Sequence, residues 1–433
     1  MTIIITFFVI FIALLILGVP IGFGILFGGV GGFLVGGMNT GLIAPALLAG
    51  LDSFPLVAIP TFIFAGDLMS HGGISSSIVD LVRAVMGRIR GSLGAVTVAV
   101  CMLFGAITGS SVATVSAVGG IMAPEMAKDG YDKNYITALL AAAGFLGTLI
   151  PPSVPGIMYA LMSGESVTAV WMSTLVPGIV LGITYMIANF LMIGRNSEKN
   201  TEAFNLTEYF AEIGRRTPKA LVAFIMPLII FGGVYGGVFT ATEAGIVAVV
   251  YGIIAGWFIY PKFFKMKSEV GLYRLTKNSA LSCVSICILI GMSTVVSRMV
   301  AMGGVTDQIT EFLMGITDNP HVFLLVVNIL LIIVGMFLET NAGILLFCPI
   351  LIPLAEAYGI DLIHFGAVLL LNLEIGLMTP PFAGNLFVAC KITNCTIDKV
   401  LPKLMPFYVC AIITLIVVTY VPIVSTWLPG ITG

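Results

Sequence analysis

Thr108, Gly109, Ser110, Ser111, Thr114 and Ser116 interrupt an apolar run that includes Met102, Leu103 and Phe104. A second apolar run is interrupted by Glu339-Thr340-Asn341. Hydroxyl, amide and carboxylate oxygens are hard donors, which a hard cation such as sodium prefers to nitrogen or sulfur. Two Pro-Pro pairs, Pro151-Pro152 and Pro380-Pro381, break further apolar runs shortly after Gly147 and Gly376. Proline cannot donate to the helix ladder and frees carbonyls in the preceding turn. Two clusters follow: Thr108, Ser110 and Ser111 with Gly147, Leu149 and Ser153, and Glu339, Thr340 and Asn341 with Gly376, Met378 and Thr379. Freed oxygens there suit a cation, and half-helix N-termini offer N–H groups and a positive dipole end to an anion.

These residues sit in a chain of 433 residues that is 59% hydrophobic and 9% charged, with a mean hydropathy of +1.13. Soluble domains carry about 25% charged residues, so the composition describes an all-α polytopic membrane protein. A net charge of -2 excludes a basic nucleic-acid surface. The N-terminal segment lacks a basic leader and a small-residue cleavage site, so it is expected to be a retained span. The seven cysteines form no Cys-x-x-Cys pair, which argues against zinc and against a disulfide framework.

Spanning helices need about 20 apolar residues, and eleven apolar runs are long enough to consider. The first, 3–36, is either one kinked span or two joined at Pro20. Residues 92–126 and 322–356 are each about 35 long, with their polar interruptions near the middle. Such a run crosses once with excess, or enters and returns. Basic residues at both ends of the first run, Arg90 and Lys128, favour a re-entrant hairpin. Irregular backbone at membrane depth is tolerated only inside protein or along a cavity.

The chain also repeats itself. Pro124 and Pro353, Asp132 and Asp361, and Pro151 and Pro380 are each separated by 229 residues. The first copy carries Arg83, Arg88, Arg90, Lys128 and Lys133, whereas matching parts of the second carry Asp307, Glu311, Asp318, Glu356 and Asp361. Basic loops stay cytoplasmic, so equivalent segments face opposite sides, the inverted-repeat design of secondary transporters. Gly and Ser also mediate close helix packing, but matched breaks at a common spacing favour a binding role.

Other polar residues in apolar surroundings are individually ambiguous. Glu374 is either functional or the partner of a basic residue such as Arg298. Asn328 is either helix glue or a substrate contact, and Glu243 is expected to mark a helix start. His71, His321 and His364 lack metal-ligand spacing. No Gly-Lys dipeptide exists for an ATP-binding P-loop, and neither H-E-x-x-H nor G-x-S-x-G occurs. Energy must come from an ion gradient or a partner.

GAITGSSVATVSAVGGIMAPEM, LGTLIPPSVPGIMYA, FTATEAGIVAVVYG, GMFLETNAGILLFCPILIPLAEAYGID and IGLMTPPFAGNLFVACKI together resemble the large membrane subunit of tripartite ATP-independent periplasmic (TRAP) transporters, most of all the sialic-acid members. The resemblance covers essentially the whole chain. It implies an ion-transporter-type elevator in the bacterial inner membrane, with a static scaffold and a moving transport domain. It also implies sodium coupling, a small four-helix membrane subunit, and a periplasmic binding protein that delivers a carboxylated solute such as sialic acid. Carried over by position, the first sodium site would use Ser110 and Ser111 with Gly147 to Pro151, including Leu149. The second would use Glu339, Thr340 and Asn341 with Gly376, Met378 and Thr379. Substrate would lie near Thr108, Ser111, Ser153, Asn341 and Asn385. No organic cofactor is implied.

The expected organisation is scaffold helices and an arm over 1–91, then a transport half over 92–194 with hairpin 92–126 and broken helix 134–163. A cytoplasmic linker, 195–220, precedes a second scaffold part, 221–320. A second transport half, 321–433, holds hairpin 322–356 and broken helix 362–390. The arms would be the amphipathic segments 74–90 and 305–319. Two alternatives remain: a stand-alone proton- or sodium-coupled organic-anion transporter, and a polytopic membrane enzyme. The first predicts uptake by the chain alone. The second predicts a titratable catalytic cluster, which the sequence lacks.

Overall fold

A computed structural model describes residues 1–86, 92–193, 206–266, 268 and 270–432. Arg88, Arg90 and linker residues 195–205 lie outside the described residues. Among the described residues there are helices and no strands, and eight helices are long and apolar enough to cross a membrane.

The run 3–36 is two helices, Thr2–Ile16 and Ile21–Val35, separated at Leu17–Pro20. They pack antiparallel, with Gly24 against Phe11 and Gly28 against Phe7. The polar stretch expected as linker becomes helical at Leu206 and runs unbroken to Tyr235. An Arg216–Glu212 ion pair of 2.6 Å at i,i+4 supports that extension. Glu243 forms a capping box with Thr240, whose N–H donates to Glu243 Oε2 at 2.8 Å, so it starts the helix Ala241–Ile253 as expected.

Ser92–Thr108 and Ser111–Lys128 fold back on one another across Gly109-Ser110. The register is antiparallel: Thr108 Oγ1 lies 3.2 Å from Thr114 Oγ1 at the tip, and Thr97 Oγ1 donates to Met126 Sδ at 3.3 Å further down. Gly109 makes the turn at φ +60° with its Cα against the Pro152 carbonyl, and a Cβ there would come within 2.6 Å of that oxygen. A second hairpin, Pro320–Phe337 and Thr340–Ala357, turns at Leu338-Glu339. Its open end is closed by Phe323 stacked on Tyr358 at 4.5 Å. The window of Thr340–Ala357 is 78% buried inside the protein, against 28–39% for the other seven long helices. That limb is surrounded by protein, where lipid-facing spans are not.

Each hairpin packs on a broken helix. Lys133–Gly144 and Leu146–Leu149 are followed by a gap at 150–153, and Val154–Ser163 leaves at 46°. Leu362–Leu377 is interrupted at 378–383 and resumes as Gly384–Thr393. Val154 N donates to Gly109 O at 3.4 Å, and Phe382 N donates to Met336 O at 3.2 Å, so each break is tied to its hairpin. Backbones nearly touch at Gly105 and Gly147, and again at Gly335 and Gly376, where no side chain fits between them. Asp132 and Asp361 both cap the start of a broken helix, accepting from Asn134 N at 3.3 Å and His364 N at 2.8 Å.

Candidate functional site

The two tips and the first break converge on one cavity of about 250 Å³. Thr108, Ser110 and Ser111 from the first tip and Glu339, Thr340 and Asn341 from the second all line it. Val154 and Pro155, the first turn of the helix after the first break, also reach it. Three helix N-termini therefore face the same space, starting at Ser111, Thr340 and Val154. The dipole ends at Ser111 and Thr340 give it a partial positive rim, whereas at the third the Val154 N–H is taken by Gly109 O, Pro155 has none and the Gly156 N–H is capped by Ser153.

The side chains have the opposite character. Asp67, Glu339 and Glu374 line the cavity, and among the described residues no Lys, Arg or His does. Thr340 Oγ1 donates to Glu374 Oε1 at 2.8 Å, and Asn341 Nδ2 donates to Glu339 Oε1 at 2.6 Å. Glu374 is fully buried on Leu362–Leu377 and has no ion-pair partner among the described residues. Arg298, the basic partner considered for it, is exposed on Leu272–Met302. Asp67, on Ala58–His71, accepts a hydrogen bond of 2.5 Å from Ser279 Oγ. Buried Asn341 Oδ1, Thr148 Oγ1 and Glu374 Oε2 have no hydrogen-bond partner. Buried polar atoms rarely stay unsatisfied without reason. Hydroxyl and carboxylate oxygens with unused lone pairs and no nearby cationic side chain form a donor set that suits a hard cation.

The remaining expected residues stand behind or away from this cavity. Gly147 and Gly376 act through their backbones, as the close partners of Gly105 and Gly335. Leu149 is fully buried and packs its Cβ toward Gly178. Ser153 caps Val154–Ser163, accepting from Gly156 N at 3.2 Å, while its carbonyl accepts from Trp171 Nε1 at 3.0 Å. Met378 is buried, and its carbonyl accepts from Tyr408 Oη at 2.5 Å. Thr379 donates to Ile375 O at 2.8 Å. Pro151-Pro152 and Pro380-Pro381 lie in the two gaps, each pair joined by a cis peptide bond. Asn385 is fully buried, with both side-chain polar atoms unpartnered, and does not line this cavity. Asn328 bridges Thr419 Oγ1 at 3.0 Å and Asn372 Nδ2 at 2.8 Å, which makes it helix glue.

Three polar cavity residues, Asp67, Ser70 and Ser282, escaped the sequence reading. Asp67 carried a usable signal, because a carboxylate within IPTFIFAGDLM is costly unless it has a role. Ser282 shares a helix face with Ser279 and Ile286 at i,i+3,i+7 spacing.

Comparison with known proteins gives the family. The family model described as "Tripartite ATP-independent periplasmic transporter, DctM component" matches residues 8–424. The uncharacterized protein YgiK of Salmonella typhimurium is 36% identical over 97% of this chain and 95% of its own. The C4-dicarboxylate TRAP transporter large permease protein of Pseudomonas aeruginosa is 34% identical over 90% of each chain. The sialic acid TRAP transporter large permease protein of Vibrio cholerae is 30% identical over 96% of each. Among solved structures, the YdaH transporter of Alcanivorax borkumensis shares the fold at a TM-score of 0.66 and 14% identity, covering 88% of both chains.

Proposed function

Because the chain belongs to the DctM component family of the tripartite ATP-independent periplasmic transporters, we propose that it is the sodium-coupled membrane permease of such a system, importing a small carboxylated solute. It is a transport component and not an enzyme. The observation that carries the sodium reading is the acidic cavity between the tips, with three carboxylates and no basic side chain lining it. A second anion about 4 Å from a carboxylate is repelled by about 4 kcal/mol at an effective dielectric of about 20. Bound sodium would supply the neutralising charge. The tip hydroxyls, Glu339 and Glu374 hold positions for it, and the helix N-termini at Ser111 and Thr340 then face a carboxylate. Binding of cation and solute is thereby reciprocal: each raises the affinity for the other.

"Tripartite" names two further components. We assign them as a small four-helix subunit beside this chain in the inner membrane and a periplasmic binding protein that delivers the solute. The relatives named for a solute include C4-dicarboxylate and sialic acid permeases at 34% and 30% identity, so similarity does not single out sialic acid. Both are carboxylates, and N-acetylneuraminate is the first to test.

Matched caps, matched glycine contacts and opposed loop charges support an inverted repeat with re-entrant tips. On that reading the two hairpins and two broken helices move together as an elevator. Ile74–Met86 and Val305–Met314 would be the arms, and Arg83 on the first reaches Glu125 of the hairpin at 2.7 Å.

Uptake by proteoliposomes containing both membrane subunits, with the binding protein added, tests the proposal. Uptake of N-acetylneuraminate or a C4-dicarboxylate should require an inward sodium gradient and both partners. Uptake by this chain alone would favour the stand-alone reading, and gradient-independent uptake would refute coupling. Asp67 supplies a second check. One charge removed from a cavity this size weakens cation binding by about 1–2 kcal/mol. Asp67→Asn should therefore raise the half-saturating sodium about tenfold, whereas an unchanged sodium titration would assign Asp67 to the Ser279 contact alone.

A further inference from the structure

Not all of the cavity belongs to the hairpins and their broken helices. Asp67 and Ser70 on Ala58–His71 and Ser282 on Leu272–Met302 form a second polar wall. Gly66 holds that wall against the first tip, where a Cβ would lie 3.0 Å from Thr108 Cα. Ser279 ties the two helices together by its 2.5 Å hydrogen bond to Asp67 Oδ2. Asp67 has no salt bridge among the described residues, and His71, which bonds the Asp67 carbonyl, does not line the cavity. Ser70 directs its proton to Gly66 O at 2.8 Å, which leaves its oxygen as an acceptor. An ionised carboxylate also only accepts. The cavity thus has one pole that attracts an anion, the helix N-termini at Ser111 and Thr340. The other pole takes O–H or N–H donors and repels a second negative charge.

We propose that Asp67 sets the class of solute: a monocarboxylate bearing hydroxyl groups, with its carboxylate at the tips and its hydroxyls at Asp67 and Ser70, in preference to a dicarboxylate. This rests on the permease reading above and deepens it by naming the solute class. The Asp67 charge adds to the field felt by sodium whichever solute is present. On the solute it acts according to what the far end carries. A hydroxyl there donates to the carboxylate, whereas a second carboxylate there is repelled. Specificity gained by repelling the competitor needs no extra contact with the preferred solute.

The test is thermal unfolding of the purified complex of both membrane subunits in saturating sodium chloride, titrated separately with N-acetylneuraminate, D-gluconate and succinate. Leaving out the binding protein removes its own selectivity from the result. At least one of the two hydroxylated monocarboxylates is expected to half-saturate at a concentration about tenfold or more below that of succinate. Asp67→Asn keeps the size and an acceptor for Ser279 while removing the charge, and should narrow that ratio about tenfold by strengthening succinate. Asp67→Ser should narrow it likewise, and decides the matter if Asp67→Asn does not fold, since Ser279 retains Leu275 O as an acceptor at 3.0 Å. Succinate binding as tightly as both monocarboxylates in the unaltered complex, or an unchanged ratio in the deciding variant, overturns the role of Asp67. Stabilisation by none of the three solutes, or equal stabilisation in choline chloride, would instead overturn the sodium-coupled carboxylate reading, which separates the two failures.

Discussion

Ser110→Ala combined with Ser111→Ala is expected to raise the sodium concentration for half-maximal uptake by a factor of about ten to one hundred, the scale on which a metal site responds to loss of its supporting oxygens. Both residues line the cavity at the start of Ser111–Lys128. They are not equivalent. Ser110 is also the helix cap, accepting from Ala113 N at 3.5 Å, so its loss costs about 1 kcal/mol of local stability. Ser111 is buried at 5% exposure with its hydroxyl toward Glu374 and caps nothing. The single change Ser111→Ala therefore isolates the oxygen from the cap. Sodium-dependent uptake in proteoliposomes, normalised to incorporated protein, is the measurement. Wild-type sodium dependence in the double variant would remove the first tip from the cation machinery.

Gly147→Val should abolish uptake, to below about 1% of wild type, the loss that follows when a preorganised site is displaced by about 1 Å. A side chain at 147 would meet Thr114 and the Gly105 backbone, forcing the first hairpin off its broken helix. Overpacking of this kind costs about 1–3 kcal/mol, so the protein is expected to fold with a lowered melting temperature. Gly376→Val should do the same at the second hairpin, where a Cβ would strike the Gly335 backbone. Neither substitution removes an oxygen side chain from the cavity. Lost uptake with folded protein would show that transport depends on how closely each hairpin sits on its break. Wild-type uptake from either variant would mean that the approach is incidental.

Much of this architecture was legible because an apolar chain makes every polar or helix-breaking residue conspicuous. Glu339-Thr340-Asn341 and the serines near 110 stand out against hydrocarbon neighbours, and the Pro-Pro pairs announce their breaks locally. Asp132 and Asp361 share the 229-residue spacing of the prolines, a regularity visible in the sequence alone. Local patterning failed where a segment was polar yet helical. Residues 206–219 look like a loop by composition, but the Glu212–Arg216 pair and a helix that continues through Pro218 carry them into the next span. Pro20 marked a break without showing whether the chain continued or doubled back. Gly24 and Gly28 decide that, by letting Phe11 and Phe7 lie against the second helix.

By itself, then, the sequence determined a membrane-embedded helical chain with two polar tips, two proline breaks and hard-oxygen chemistry at them, because these depend on residue type and short-range spacing. Only the tertiary structure decided that both tips open on one cavity, that Asp67 and Glu374 join them there, and that Ser153 and Met378 face elsewhere. Which face of a helix meets which neighbour is set by side-chain packing between segments hundreds of residues apart, such as Ser111 and Glu374, and no local pattern encodes that meeting.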